Sequence, residues 1–308
     1  MVSSEKADYD KAVDFARKEY VKNSKAQAKE RIDKLVEYIN VNEQFLIREA
    51  KEEIKNIVTL GQNVILDTYK ENPKLSRELL LEKLRTKLRD TRFFSDLSGY
   101  YFIYDLNGTN IMHGANKALE GLDLMDVQDG NGKYITKDIL ALLAQSDGAY
   151  YDWTWKNPED EVYRKKIGYM ALIKPLNLFI GSARYEDEIL TKIKKETQKL
   201  LLNTHYGEHG YIFAYDYDGY TISHGDLSLI GKNRFDVVTN GQHIIKDIVE
   251  GGKSNPEGFF MSYLASFHPD EKDRHKISFI RPIPQFEWVI GTGAYLNEEN
   301  EALIEHEM

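Results

Sequence analysis

Apolar residues recur at helical spacing through the first quarter of the chain. Ile32, Leu35, Val36 and Ile39 are followed by Leu46, Ala50, Ile54, Ile57, Val58, Gly61, Val64 and Ile65. Steps of three and four place these side chains on one helix face. No proline precedes Pro73, so the pattern predicts a helix over most of residues 5–70. A helix of about 60 residues spans roughly 90 Å at 1.5 Å per residue, longer than a small module is wide. It is therefore expected to run past further domains or to pair with a partner's helix. The alternative is two helices with a kink near Asn40–Asn42. A second helix is predicted from about Lys74 to Arg89, past the proline, and a third over Glu186–Leu202.

Beyond residue 98 the period changes to two. Tyr100, Phe102 and Tyr104 alternate, as do Tyr211, Phe213 and Tyr215, which predicts strands with one aromatic face. These strands belong to a repeat. Residues 99–114, GYYFIYDLNGTNIMHG, and residues 210–225, GYIFAYDYDGYTISHG, share nine of sixteen positions. The match continues downstream. Gly121 answers Gly231, Met125-Asp126-Val127 answers Phe235-Asp236-Val237, and Lys137-Asp138-Ile139 answers Lys246-Asp247-Ile248. Lys166-Ile167-Gly168-Tyr169 answers Lys276-Ile277-Ser278-Phe279, and Phe179-Ile180-Gly181 with Tyr185 answers Val289-Ile290-Gly291 with Tyr295. The offset of about 110 residues is that of a small domain rather than of a solenoid unit.

Each copy follows one plan. Asp105-Leu106-Asn107-Gly108 and Asp216-Tyr217-Asp218-Gly219 are hairpin turns with a glycine suited to positive φ. The returning strand carries Ile111 and His113, or Ile222 and His224, read as sharing a face. A short helix follows, around Asp138–Ala144 or Ile244–Glu250, and then three strands: Ala149–Trp155, Lys166–Ile173 and Leu178–Tyr185 in the first copy. Two strands, a helix and three more strands form a five-stranded antiparallel sheet, so the fold class is α+β. The expected domains are a helical stalk over 1–73, a first module over 74–190 and a second over 191–308.

The 308 residues are 42% hydrophobic and 30% charged, enough apolar material for packed cores. A net charge of −9 argues against nucleic acid or an anionic membrane surface as the main partner. With no cysteine there is no disulfide framework, thiolate metal site or cysteine nucleophile. Apolar runs such as Val64-Ile65-Leu66 fall far short of the roughly 20 residues a spanning helix needs. No signal-peptide pattern opens the chain, and its polar start reads as cytoplasmic or as a piece of a longer protein. No phosphate-binding glycine loop, nucleophile elbow or zinc-hydrolase helix motif is found, so no enzyme is expected. The nearest histidine pairs, His205 with His209 and His268 with His275, lack a carboxylate signature, so neither a metal nor a cofactor is implied.

The ordered motifs GYYFIYD…GTNIMHG…YDW…KIGY…LFIGSARY and GYIFAYD…GYTISHG…KISF…EWVIGTGAY resemble the Cache family, of the Cache 2 type, over about residues 75–300. The first copy departs at its end, where Leu178 stands opposite Trp288 and Arg184 opposite Ala294. The resemblance implies a double Cache sensor: two PAS-like modules on a long N-terminal helix, held outside the cytoplasmic membrane. It implies membership in a chemoreceptor or sensor histidine kinase, with the cytoplasmic output domain absent from this chain. It also implies a small metabolite as ligand, often a carboxylate, and it places the first module away from the membrane. A ligand-free dimerisation ectodomain, assembled through the long helix, is the alternative, and a homodimer along that helix is one partner the sequence allows.

A carboxylate needs cationic or neutral donors and apolar walls. The first-copy candidates are Arg92, Tyr101 (or its neighbour Tyr100), His113, Trp153, Lys166 and Tyr169. Those in the second copy are His205, Tyr211, His224, Tyr263 and Lys276, with Arg281 as an extra cation. A histidine on an apolar strand face suits a core hydrogen bond as well as a ligand contact. The richer set of Arg, Lys, Tyr and Trp favours the first module as the binding one, with the second as a relay.

Overall fold

The computed structural model describes residues 2–156, 161–207, 210–265 and 274–296. The expected long helix is found and the alternative kink near Asn40–Asn42 is not: α1 is one helix over Val2–Glu71. It ends just before Pro73, as the missing amide and fixed φ of proline require. By its contacts the chain forms two units, residues 44–192 and residues 1–43 with 193–308. The long helix contributes to each rather than standing apart as a stalk.

In the unit of residues 44–192, α2 (Arg77–Leu88) starts at Ser76, whose side chain caps the Leu79 amide. Leu80, Leu84 and Leu88 form its buried stripe. A five-stranded antiparallel sheet follows, made of β1 (Phe102–Asp105), β2 (Asn110–His113), then α3 (Ile135–Leu143), β3 (Gly148–Lys156), β4 (Tyr163–Ile173) and β5 (Leu178–Tyr185). The spatial order is β2-β1-β5-β4-β3. One sheet face, with Ile103, Met112, Ala171, Ile173, Leu178 and Ile180, packs on Val58 and Ile65 of α1 and the leucines of α2. The other face, with Phe102, Met170, Phe179 and Trp153, packs on Ile135, Ile139 and Leu143 of α3.

Two local features place the strands. The Asp105 carboxylate accepts from the Asn107 and Thr109 amides, both at 2.9 Å, and closes the β1–β2 turn. At Gly61 the helix approaches the sheet so closely that an added Cβ would stand 2.7 Å from Ile180 and 2.8 Å from the Tyr101 ring.

The second unit repeats the plan. After α4 (Glu186–Asn203) come the short strands β6 (His205–Tyr206) and β7 (Gly210–Tyr211), then β8 (Phe213–Asp216), β9 (Thr221–Ser223) and α5 (Ile244–Ser254). Strands β10 (Phe259–Ala265), β11 (Arg274–Ile283) and β12 (Trp288–Tyr295) complete a sheet of order β10-β11-β12-β8-β9. Ile244, Ile245, Ile248 and Val249 of α5 cover one face, against Tyr211, Phe213, Tyr215, Tyr263, Ile280 and Val289. The N-terminal part of α1 also belongs to this unit. Its Asp33 pairs with Arg281 at 3.0 Å, and Lys29 lies 4.9 Å from the Phe279 ring centre.

A β-bulge corrects one sequence expectation. Ile103 pairs with Met112 but Tyr104 pairs with Asn110, so Ile111 is the extra residue. Ile111 joins Met112 in the cluster facing α1 and α2, while His113, opposite Phe102, faces α3. The two residues therefore do not share a face. The same slip falls at Ile222 in the second sheet, where Ala214 pairs with Ser223 and Tyr215 with Thr221.

Candidate functional site

Strand register brings the chemistry of each copy onto the sheet face that its short helix covers. In the first sheet Trp153 pairs with Lys166 and Lys166 with Tyr185, while Phe102 pairs with both His113 and Gly181. In the second, Tyr263 pairs with Lys276 and Lys276 with Tyr295. Tyr263 is thus the counterpart of Trp153. Each face walls a cavity.

The floors of the two cavities carry the same three groups. Lys166 is 4% exposed, donates to the Tyr100 hydroxyl at 3.0 Å and lies 4.2 Å from the Tyr185 ring centre. Lys276 is 2% exposed, donates to the Tyr211 hydroxyl at 2.9 Å and lies 5.0 Å from the Tyr295 ring centre. Among the described residues neither ammonium forms an ion pair. Hydroxyls and ring faces stabilise it only in part, and a buried charge without a counter-charge is costly.

The histidines are fixed by backbone donors. The Asn116 amide donates to His113 Nδ1 at 2.9 Å, and the Asp226 amide to His224 Nδ1 at 3.0 Å. An Nδ1 that accepts cannot carry the proton, so the neutral ring holds it on Nε2 and Nε2 is a donor. Burial, reinforced by the Lys166 charge, pushes the His113 pKa down to about 4. Burial, then Lys276 and then Arg234, pushes His224 to about 3. Burial also raises Tyr211 to about 12, which keeps its hydroxyl protonated. Each floor thus sets a lysine, a tyrosine hydroxyl and a neutral imidazole side by side, all able to donate to an anion's oxygens.

Space differs between the copies. The first cavity is about 50 Å³, walled by Tyr100, Phe102, Tyr104, Trp153, Trp155 and Phe179 among others. The second is about 250 Å³. Trp155 pairs with Arg164, and Ala265 holds the same register position against Arg274. Where the first copy fills its pocket with an indole, the second has a methyl group.

Of the first-copy candidates, His113, Trp153 and Lys166 line the cavity, and Tyr100, the alternative to Tyr101, does so as well. Arg92, Tyr101 and Tyr169 do not. The exposed Arg92 guanidinium donates to the carbonyls of Arg89, Thr91 and Gly114 at 3.0, 2.9 and 2.7 Å, tying the loop after α2 to the end of β2. Tyr101 is one residue out of phase with Phe102 and points at α1, where its hydroxyl donates to the Ile57 carbonyl at 2.8 Å. Tyr169 packs in the cluster on the same face as Tyr101, its ring 4.8 Å from that of Tyr150.

In the second copy Tyr211, His224, Tyr263 and Lys276 line the cavity. His205 is exposed on β6, and Arg281 pairs with Asp33 of α1. His209 and His268 lie outside the described residues. Sequence reasoning missed Trp155, Tyr215, Asp226 and Arg234. Parity with Trp153 points to Trp155, and parity with Phe213 to Tyr215. For Arg234 the only signal was its place opposite Leu124 in the aligned copies.

Two like modules, each a five-stranded sheet with a helix-covered pocket, define a tandem PAS-like sensor architecture. Residues 5–300 match the Cache domain family dCache_2, and the chain belongs to that family. This bears out the double Cache resemblance read from the repeat. Among curated proteins the chain is similar to the methyl-accepting chemotaxis protein McpP of Pseudomonas putida, 30% identical over 122 residues, 40% of this chain and 22% of that protein. It is also similar to the sensor histidine kinase MctS of Rhizobium johnstonii, 22% identical over 154 residues, 50% of this chain and 32% of that protein. The chain thus spans a third or less of these relatives. Among solved structures, a Cache chemosensory domain described for carboxylic acid recognition aligns at 25% identity and a TM-score of 0.43, over 47% of this chain and 98% of that one. No helix among the described residues is long and apolar enough to cross a membrane.

Proposed function

We propose that this chain is the extracytoplasmic ligand-sensing part of a transmembrane signalling receptor, a chemoreceptor or a sensor histidine kinase, and that its ligand is a small carboxylate. The observation that carries this reading is the buried lysine of each module, held by a tyrosine hydroxyl and aromatic rings with no ion-pair partner among the described residues. A carboxylate supplies the missing counter-charge and accepts from the neighbouring imidazole Nε2–H. The kinship with a chemotaxis receptor and a sensor kinase supports the receptor setting.

The sequence favours the first module, for its richer set of Arg, Lys, Tyr and Trp and for the place the family resemblance gives it. The geometry favours the second. Arg92 lies outside the first cavity, and about 50 Å³ leaves little room beside two indoles, whereas about 250 Å³ admits a small organic acid. Binding alone transmits nothing; the ligand must favour one of two packings of the loop and α5 over the sheet. Tyr38 and Val41, exposed three residues apart on α1, favour assembly of the receptor as a homodimer along that helix.

Thermal unfolding with a panel of small organic acids, amino acids and amines tests the reading. A binder at a hundred times its Kd stabilises the native state by about 2.7 kcal/mol. The expected result is a shift with carboxylates and none with simple amines. A flat response to every acid at millimolar excess overturns it.

A further inference from the structure

The two cavities share a floor but not a wall, and one difference concerns charge. At the position opposite Leu124, a buried wall residue of the first cavity, the second carries Arg234. Its guanidinium, half-buried on the cavity wall, makes no hydrogen bond or ion pair among the described residues. Five N–H donors with no acceptor among the described residues, on a cavity wall, form a fork that matches a carboxylate.

Arg234 and Lys276 approach from different ends. The Arg234 amide donates to the Gly219 carbonyl at 2.9 Å, so the residue is anchored at the β8–β9 turn, beyond Tyr215. Lys276 is anchored at the opposite end of that run by its bond to Tyr211. The Tyr215 hydroxyl feels the Arg234 charge more than any other, whereas His224 feels Lys276 first. One carboxylate, Asp226, also lines the wall. Its Oδ1 accepts from the Ser228 amide at 2.9 Å, capping a 3-10 turn as the uncharged Asn116 does in the first copy. Hydrogen bonding to Ser228 holds its carboxyl below the usual range, so it is already satisfied as an anion.

We propose that the second cavity selects acids with two carboxylates, one held by Lys276 with His224 and the other by Arg234. This rests on the carboxylate reading above and adds the second charge to it. The first cavity, with Leu124 and Trp155 in the corresponding places, has neither the cation nor the room for such a ligand.

Titration calorimetry with succinate, butyrate and 4-aminobutyrate tests the proposal, since these four-carbon acids differ in a second terminus that is negative, apolar or positive. The expected order is succinate tightest, at least about tenfold over butyrate, with 4-aminobutyrate weakest. Arg234→Leu, which installs the first copy's residue, brings succinate down to the butyrate level and leaves butyrate unchanged. Arg234→Gln, a polar replacement of similar reach, does the same, and near-UV circular dichroism checks that both variants fold. Equal affinity for succinate and butyrate in the unaltered chain, tighter 4-aminobutyrate, or a succinate preference that survives both variants overturns it. If butyrate binds in a Lys276-dependent way without a succinate preference, only the second charge is refuted. If none of the three binds, the carboxylate reading falls with it.

Discussion

Replacing Lys276 by methionine separates a ligand-binding lysine from a structural one. The side chain is 2% exposed, and its ammonium donates to Tyr211 at 2.9 Å and lies against the rings of Tyr211, Phe213 and Tyr295. Methionine keeps most of the stem's length and packing while removing the charge. Relief of a buried, uncompensated ammonium is expected to leave the ligand-free protein as stable as before or more stable by about 1–3 kcal/mol. A hydrogen bond to a charged group contributes about 1.5–3 kcal/mol, so carboxylate affinity should fall by about 10- to 100-fold. Two measurements on one sample decide the matter: the unfolding temperature without ligand, and its rise with a saturating acid. A steady or higher baseline, with the rise cut to about half or less at a hundred times the unaltered chain's Kd, is the expected pair. A baseline lowered by several kcal/mol with the ligand response intact would show that Lys276 holds the fold together, and the reasoning would be refuted.

Further outcomes follow from the same geometry. Arg92→Ala should leave acid binding unchanged, because the guanidinium ties loop carbonyls outside the cavity; a lost calorimetric signal would contradict this. Burial depresses His113 to about 4 and His224 to about 3 from an ordinary 6.5, so above pH 6.5 both states are neutral and neither ring affects stability. Below 6.5 the unfolded chain takes up protons that the native state refuses, at about 1.4 kcal/mol per pH unit for each ring. Urea unfolding between pH 8 and 5 should therefore show the pair costing about 4 kcal/mol, a loss that stops growing below the native pKa values; a flat profile would mean the rings are not buried neutral. Gly61→Val should destabilise by about 1–3 kcal/mol in chemical denaturation, since its branched carbons would overlap Ile180 and Tyr101; unchanged stability would refute the close approach.

Much of the fold was legible because it is periodic and written twice. Alternating aromatics mark β1 and β8, helical spacing marks α1, and turns that open on Asp and close on Gly mark the two hairpins. Lys166, Lys276, His113 and His224 were found the same way, as polar residues recurring at fixed places in apolar strands. Failures came where alternation breaks or never existed. The bulge at Ile111 turned it away from His113, and Tyr101 was chosen although strand parity with Phe102 pointed to Tyr100. Arg92 sits in a run of cations, and only the folded loop brings its guanidinium to the backbone carbonyls that satisfy it. Cavity size was hidden for a different reason. It depends on Trp155 against Ala265, one position whose weight appears only after both strands are paired in register. Arg234 lies in irregular chain, and no periodicity announces a residue there.

The central claim is that the helix-covered face of the second sheet is an anion receptor built from Lys276, Tyr211 and His224. The most direct measurement is a crystal structure of the chain grown with saturating succinate. The account predicts a carboxylate in the second cavity within hydrogen-bonding distance of Lys276 Nζ and His224 Nε2. A second cavity holding only water under those conditions, with Lys276 still bound to Tyr211, would contradict it.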